Sequence, residues 1–192
     1  MNGAEALVAA AVKNGIKVCF TNPATTEMPL VQAMDSVPGL RGILCLHENV
    51  ATGAADGYGR MTGYPAMCLL HLGPGLANGL TNLHNARRAF TPVLNVIGEH
   101  ATWHLSADPL LATDIDAVAR NVSDYIKRNQ GTATIASDLG EAIAATMEKG
   151  GRIATLIVPH DIQIGEADAE IPERRGLPKT QHSSRHVTQS AQ

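Results

Sequence analysis

Apolar residues in this chain fall in short unbroken runs, separated by longer segments with helical spacing. The runs Ile16 to Phe20, Arg41 to Leu46, Ala66 to Leu72, Pro92 to Ile97 and Ile153 to Val158 have strand length, and Asp124 to Lys127 forms a shorter one. They show little alternation of apolar and polar residues, so both faces of each strand are covered. Asn2 predicts a cap for a helix over Gly3 to Asn14, stopped by Gly15, with Leu7, Val8, Ala11 and Val12 as its apolar face. Further helices are predicted over Glu27 to Ser36, Asn49 to Thr62, a segment ending near Ala89, Thr113 to Arg120, and Ser137 to Lys149 with Ser137 as cap. Gly73-Pro74-Gly75 reads as a tight turn, Gly98 to Asp108 as a loop, and Pro159 as the end of the last strand. The alternation predicts an α/β fold: a doubly wound, mainly parallel six-stranded sheet with helices on both faces. It occupies residues 1–164. Residues 165–192 are polar and nearly free of large apolar side chains, and are expected to form a disordered tail.

Composition narrows the class. Apolar residues make up 44% of the chain and aromatics only 3%, so the core is aliphatic. The net charge is −3 and no basic run exceeds the pair Arg87-Arg88, which argues against nucleic acid as partner. No apolar run has the length of a membrane span. The apolar start, Ala4 to Val12, contains Glu5 and lacks the basic flank of a signal peptide. Cys19, Cys45 and Cys68 fall in predicted buried segments and form no CxxC pair, which fits free thiols in a reducing cytoplasm.

One carboxylate stands at the abrupt change from strand to helix. The segment runs His47-Glu48-Asn49-Val50-Ala51, then Ala54-Ala55-Asp56-Gly57-Tyr58. Ligands of open α/β sheets collect where strands hand over to helices. Glu48 would lie beside free backbone N–H groups and the positive end of a helix dipole, which favour its ionised form, while burial opposes it. Gly53, Gly57 and Gly59 follow in the same helix, each costing about 1 kcal/mol against alanine, so close packing against another backbone is expected.

This segment resembles the pyrimidine-binding (Pyr) domain of thiamine-diphosphate-dependent enzymes, nearest the acetolactate synthase, benzoylformate decarboxylase and pyruvate decarboxylase group. The likeness covers roughly Asn2 to Asp161. It implies that Glu48 hydrogen-bonds N1′ of the cofactor's aminopyrimidine. That contact favours the imino tautomer, which takes the thiazolium C2 proton. A carboxyl group can exchange the N1′ proton and an amide cannot.

Two further stretches carry the resemblance. Thr21-Asn22-Pro23-Ala24-Thr25-Thr26-Glu27 is similar to a loop reading G-N-P-x-S in the benzoylformate decarboxylase branch. It places Asn22 and Pro23 near the cofactor and Thr25 where a serine contacts substrate; Thr25 or Thr26 would equally serve as a helix cap. His71 falls where that branch has a catalytic histidine, whereas Gly73-Pro74-Gly75 and Asn78 follow the acetolactate synthase pattern G-P-G-x-x-N. The resemblance thus implies Glu48 and His71 as catalytic residues, with Thr25 and His71 facing substrate. Asn22, Pro23, Gly73, Pro74, Gly75 and Asn78 join Glu48 at the cofactor.

Other chemistries find less support. Gly73-x-Gly75 lacks the third glycine of a dinucleotide fingerprint, and there is no P-loop or GxSxG elbow. His100 and His104 are four apart without a suitable third ligand, so no metal site is expected. Full-length members of the family add a diphosphate-binding (PP) domain whose G-D-G and N residues hold magnesium and the diphosphate. The one Asp-Gly step here, Asp56-Gly57, belongs to the Glu48 helix. The expectation is a Pyr half working with thiamine diphosphate and with Mg2+ held by a partner PP domain. It would act as a homodimer or with a PP-domain chain, on a 2-oxo acid, by decarboxylation or carboligation. The alternatives are a dimerising or regulatory Pyr-like module and an inactive truncated product.

Overall fold

The computed structural model describes residues 1–168 and Ile171. In chain order the elements are α1 (Gly3–Lys13), β1 (Val18–Asn22), α2 (Met28–Ser36), β2 (Arg41–Leu44), α3 (Glu48–Thr62), β3 (Ala66–His71) and α4 (Leu72–Arg88). They continue with β4 (Val93–Glu99), α5 (Ile115–Ala119), β5 (Tyr125–Arg128), α6 (Ile135–Thr146), β6 (Ile153–Pro159) and α7 (His160–Ile164). The six strands form one sheet in the order β2-β1-β3-β4-β6-β5, and every pairing is parallel.

The unbroken apolar runs explain the layering. In β3, Met67 and Leu69 point into a core shared with α1, α2, α6 and α7, through residues such as Leu7, Leu30, Leu139 and Ile162. Their neighbours Cys68 and Leu70 point the other way, into a core built by α3, α4 and α5 through Ala51, Leu76, Leu83 and Ile115. Two-residue periodicity therefore feeds two cores at once, and the sheet is wound on both faces. From β1 the chain steps outward to β2 and then returns to β3 on the other side of β1. The strand order reverses there, which opens a crevice between the C-terminal ends of β1 and β3.

Helix α1 starts as the sequence predicts. Asn2 Oδ1 accepts from the Glu5 N–H at 2.9 Å and Glu5 Oε2 accepts from the Asn2 N–H at 3.0 Å, a reciprocal capping box. Asn2→Ala leaves the Glu5 N–H without its partner. It is expected to cost about 1 kcal/mol, seen as a lower urea midpoint with an unchanged slope.

Several boundaries differ from the sequence reading. Gly73-Pro74-Gly75 is not a tight turn but the first turn of α4. The reversal is made by buried Leu72, which holds a left-handed φ of 52°. The glycines are needed for space: a Cβ on Gly73 would overlap the Thr113 side chain. Ser137 does not cap α6; it lies inside the helix, which follows a 3-10 turn at Thr132–Thr134, and its hydroxyl donates to the Thr134 carbonyl at 2.9 Å. Pro159 ends the last strand, yet α7 begins directly after it, because a fixed proline φ ahead of a helix costs that helix no hydrogen bond. In α3, Gly59 meets the Thr91 side chain and the Pro92 carbonyl and Gly53 meets Asn82, whereas Gly57 faces open space.

Cys19, Cys45 and Cys68 are all buried and free, although Cys45 lies just past β2. Of the expected tail, Gly165 to Asp168 and Ile171 are described. The Ala167 N–H donates to the Met1 carbonyl at 2.9 Å and Lys13 Nζ donates to the Ile171 carbonyl at 2.7 Å. The remaining tail residues lie outside the described ones.

Candidate functional site

The C-terminal ends of β2, β1 and β3 bring three groups of side chains to one edge of the sheet. Glu48 is the first residue of α3, with His47 as N-cap: His47 Nδ1 accepts from the Asn49 N–H at 3.1 Å. Glu48 is largely buried. Its Oε2 accepts from Asn78 Nδ2 at 3.0 Å, so two residues that the sequence assigns to the cofactor meet here. Oε1 faces Gly75. A Cβ at Gly75 would stand 3.4 Å from Glu48 Oε1 and 3.5 Å from the His71 Cβ. Glycine thus keeps clear the space between the two predicted catalytic side chains.

His71 is the last residue of β3 and is mostly buried. Its Nδ1 lies 2.8 Å from Glu27 Oε2 and 3.0 Å from Thr26 Oγ1. Glu27 has no exposed side-chain surface. The Ala24 N–H donates to Glu27 Oε2 at 2.9 Å, and the Thr26 hydroxyl donates to Oε1. Burial pushes the Glu27 carboxyl above its ordinary value, while Thr26, the Ala24 N–H and His71 pull it back. Gly98 of β4, in register with His71, makes room for this carboxylate, since a Cβ there would overlap Glu27 Oε1.

The other predicted residues take different places. Asn22 Nδ2 donates to the Cys45 carbonyl at 2.8 Å, tying the end of β1 to the segment before Glu48. Pro23 is half-buried beside it, and Thr25 is exposed at the start of a 3-10 turn, Thr25–Glu27. Pro74 is exposed in the first turn of α4, and Gly73 is buried against Thr113. Thr25, Thr26, His100, Ala101 and His160 line a small open cavity of about 190 Å³. His160 Nδ1 stands 3.4 Å from the Thr26 carbonyl.

His100 and His104 stack edge to face with centroids 6.0 Å apart. Among the described residues no three His, Cys, Asp or Glu side chains converge as metal ligands. No described helix is long and apolar enough to cross a membrane. Larger hollows, of about 220 and 490 Å³, lie at the opposite edge of the sheet, around Phe90 and Gly151. The second collects Arg87, Arg88, Lys149 and Arg152 beside Asp124, a basic grouping that spacing in the sequence does not reveal. Both are remote from the strand ends that carry Glu48 and His71, and it is these ends where α/β sheets of this topology place their chemistry.

The sequence pattern described as "Thiamine pyrophosphate enzyme, N-terminal TPP binding domain" matches residues 1–124. The chain belongs to this thiamine pyrophosphate enzyme family. It is 56% identical over 162 residues to a Mycobacterium tuberculosis protein named "Putative acetolactate synthase large subunit IlvX", covering 84% of this chain and 31% of that one. It is 28% identical over 170 residues to the acetolactate synthase isozyme 2 large subunit of Escherichia coli, covering 88% of this chain and 31% of that one. It is 29% identical over 162 residues to the chloroplastic acetolactate synthase of Arabidopsis thaliana, covering 84% and 24%. The chain thus spans about a third or less of these relatives.

As a thiamine pyrophosphate enzyme domain the chain has two site residues that sequence reasoning missed. Thr26 and Glu27 stand in the loop that carries the resemblance, Thr26 as an alternative helix cap and Glu27 with no role assigned, yet both meet His71 Nδ1. Their place in the loop that also holds Thr25 was the available signal. The 44 positions between Glu27 and His71 hid the pairing.

Proposed function

We propose that this chain supplies the pyrimidine-binding half of a thiamine-diphosphate enzyme acting on a 2-oxo acid, either an acetolactate synthase-like carboligase or a decarboxylase. The observation that carries this reading is the Glu48 carboxyl, buried at a helix start with Oε2 held by Asn78 and Oε1 turned toward the gap kept by Gly75. That donor set fits the aminopyrimidine, because one oxygen is anchored and the other has no hydrogen-bond partner among the described residues. When bound, the cofactor supplies the electron sink that decarboxylation of a 2-oxo acid requires. Glu48 would hold or exchange a proton at N1′. His71 and Thr25 would face the substrate, with His71 able to move a proton near neutral pH. Asn22 would fix the approach of the loop to the Glu48 segment, and Pro23, Gly73 and Pro74 would shape the wall.

Diphosphate and Mg2+ would be held by the PP domain of a partner, with this chain pairing as a homodimer or with that PP-domain chain. Leu44, Leu46 and Val50 stand exposed around Glu48, and the open face of α3 at Gly57 continues from them, which supports a partner at this edge. The three free buried thiols support a cytoplasmic setting.

The reading is tested by complementation. The chain is mixed with the PP-domain region of an acetolactate synthase, thiamine diphosphate, Mg2+ and pyruvate, and carbon dioxide release is followed. Release only in the mixture, lost with Glu48→Ala, is the expected result. Calorimetry of the chain alone with thiamine diphosphate and Mg2+ is expected to show little binding. Tight magnesium-dependent binding by the single chain would overturn the half-site account.

A further inference from the structure

We propose that Glu27 is a positioning residue that holds His71 as the Nδ1–H tautomer, so that the bare Nε2 is the nitrogen presented to substrate. This deepens the reading above and rests on it for the word substrate; the tautomer itself is a property of the chain.

The argument is a count of protons. Three oxygens are at stake around His71 Nδ1. Thr26 has one hydroxyl proton, and it is spent on Glu27 Oε1. Glu27 Oε2 already accepts from the Ala24 N–H at 2.9 Å and lies 2.8 Å from Nδ1. Thr26 Oγ1, its own proton engaged, lies 3.0 Å from the same nitrogen. With Glu27 ionised, Nδ1 faces two oxygens that can only accept, and it satisfies them by carrying the hydrogen. A carboxylate with two donors besides the histidine is the form this pocket is built for. The neutral imidazole then has its lone pair on Nε2, the arrangement in which a ring nitrogen serves as proton acceptor.

The rest of the surroundings supports a built site. Glu27 is fully buried and reaches no bulk water. Only a glycine at position 98 leaves room for its carboxylate. The other titratable groups nearby are His160, on the Thr26 carbonyl at 3.4 Å, His100, which lines the same small cavity as Thr26, and Glu48, beyond Gly75. None of these occupies Nδ1.

Glu27→Ala is the informative variant, because it removes both carboxylate oxygens and frees the Thr26 hydroxyl proton to donate to Nδ1. The tautomer is read by long-range nitrogen–proton NMR on histidine-labelled protein at neutral pH. The expected result is a directly bonded proton on His71 Nδ1 and none on Nε2. In Glu27→Ala only Thr26 Oγ1 is left facing Nδ1, its hydroxyl donates to that nitrogen, and the proton moves to Nε2. Glu27→Asp, carried as the conservative control, retains a carboxylate and keeps the original tautomer. In the complemented enzyme, Glu27→Ala is expected to lower kcat by about 10²–10⁴-fold with little change in KM for pyruvate. A native His71 protonated on Nε2, or a Glu27→Ala protein with the native tautomer, would overturn the proposal and leave the cofactor reading intact. A correct tautomer in a chain that fails to complement would sustain the positioning role and remove the cofactor reading instead.

Discussion

Glu48→Gln is expected to leave the fold intact and to slow exchange of the cofactor's thiazolium C2 proton by about 10²–10⁴-fold in the complemented enzyme. The amide is nearly isosteric. Its oxygen can keep the bond from Asn78, which lies 3.0 Å from Glu48 Oε2. The start of α3 does not depend on the Glu48 side chain, since His47 supplies the cap. Thermal unfolding should therefore move by no more than a degree or two. What the amide cannot do is exchange a proton at N1′. The measurement is hydrogen–deuterium exchange at C2 by NMR, run beside Glu48→Asp, which keeps the acid but shortens its reach. An exchange rate in Glu48→Gln equal to that of the native chain would sink the assignment of Glu48, whatever its effect on turnover.

Gly98→Ala carries the largest expected loss of stability. Overpacking a full interior costs about 1–3 kcal/mol, and this site is worse than most. The new Cβ would overlap Glu27 Oε1 and stand 2.9 Å from Thr26 Oγ1. Position 98 sits in a central strand, paired with His71 on one side and Val158 on the other. The backbone has little freedom to retreat, so the carboxylate must move. Urea unfolding should show a midpoint lowered by that amount with an unchanged slope. The same variant should disturb the His71 ring signals more than those of His84, which lies on the far part of α4. A double variant with Glu27→Ala should recover part of the stability, because the obstacle is removed. If the midpoint of Gly98→Ala is native, the glycine is not a cradle for Glu27.

How far the sequence led depended on the range of each interaction. Unbroken apolar runs such as Met67 to Leu70 revealed a sheet buried on both faces, because that burial is written in consecutive residues. The order of the strands was not legible, since nothing in a strand records its neighbour. Local chemistry misled at Gly73, where glycine suggested a turn and the need was space beside Thr113. The positive φ fell instead on Leu72, a residue type that gives no such signal. The position of Glu48 at a helix start was legible from the strand-to-helix change around it. Glu27 was not, because its partner is 44 positions away and a glutamate near a helix start has an ordinary explanation. Helix α7 was hidden by reading Pro159 only as a terminator.

The strand order has a mechanical consequence. Glu27 and His71 hang from the interior strands β1 and β3, whereas Glu48 follows β2, which is four residues long, largely exposed, and pairs with β1 alone at the margin of the sheet. Fraying of that margin breaks one ladder and leaves Glu27 and His71 on β1 and β3, which stay paired with each other. Amide exchange should grade across the sheet, fastest at the margin strands β2 and β5 and slowest through β3 and β4. Glu48 therefore rests beside the more easily opened ladder and His71 beside a firmer one.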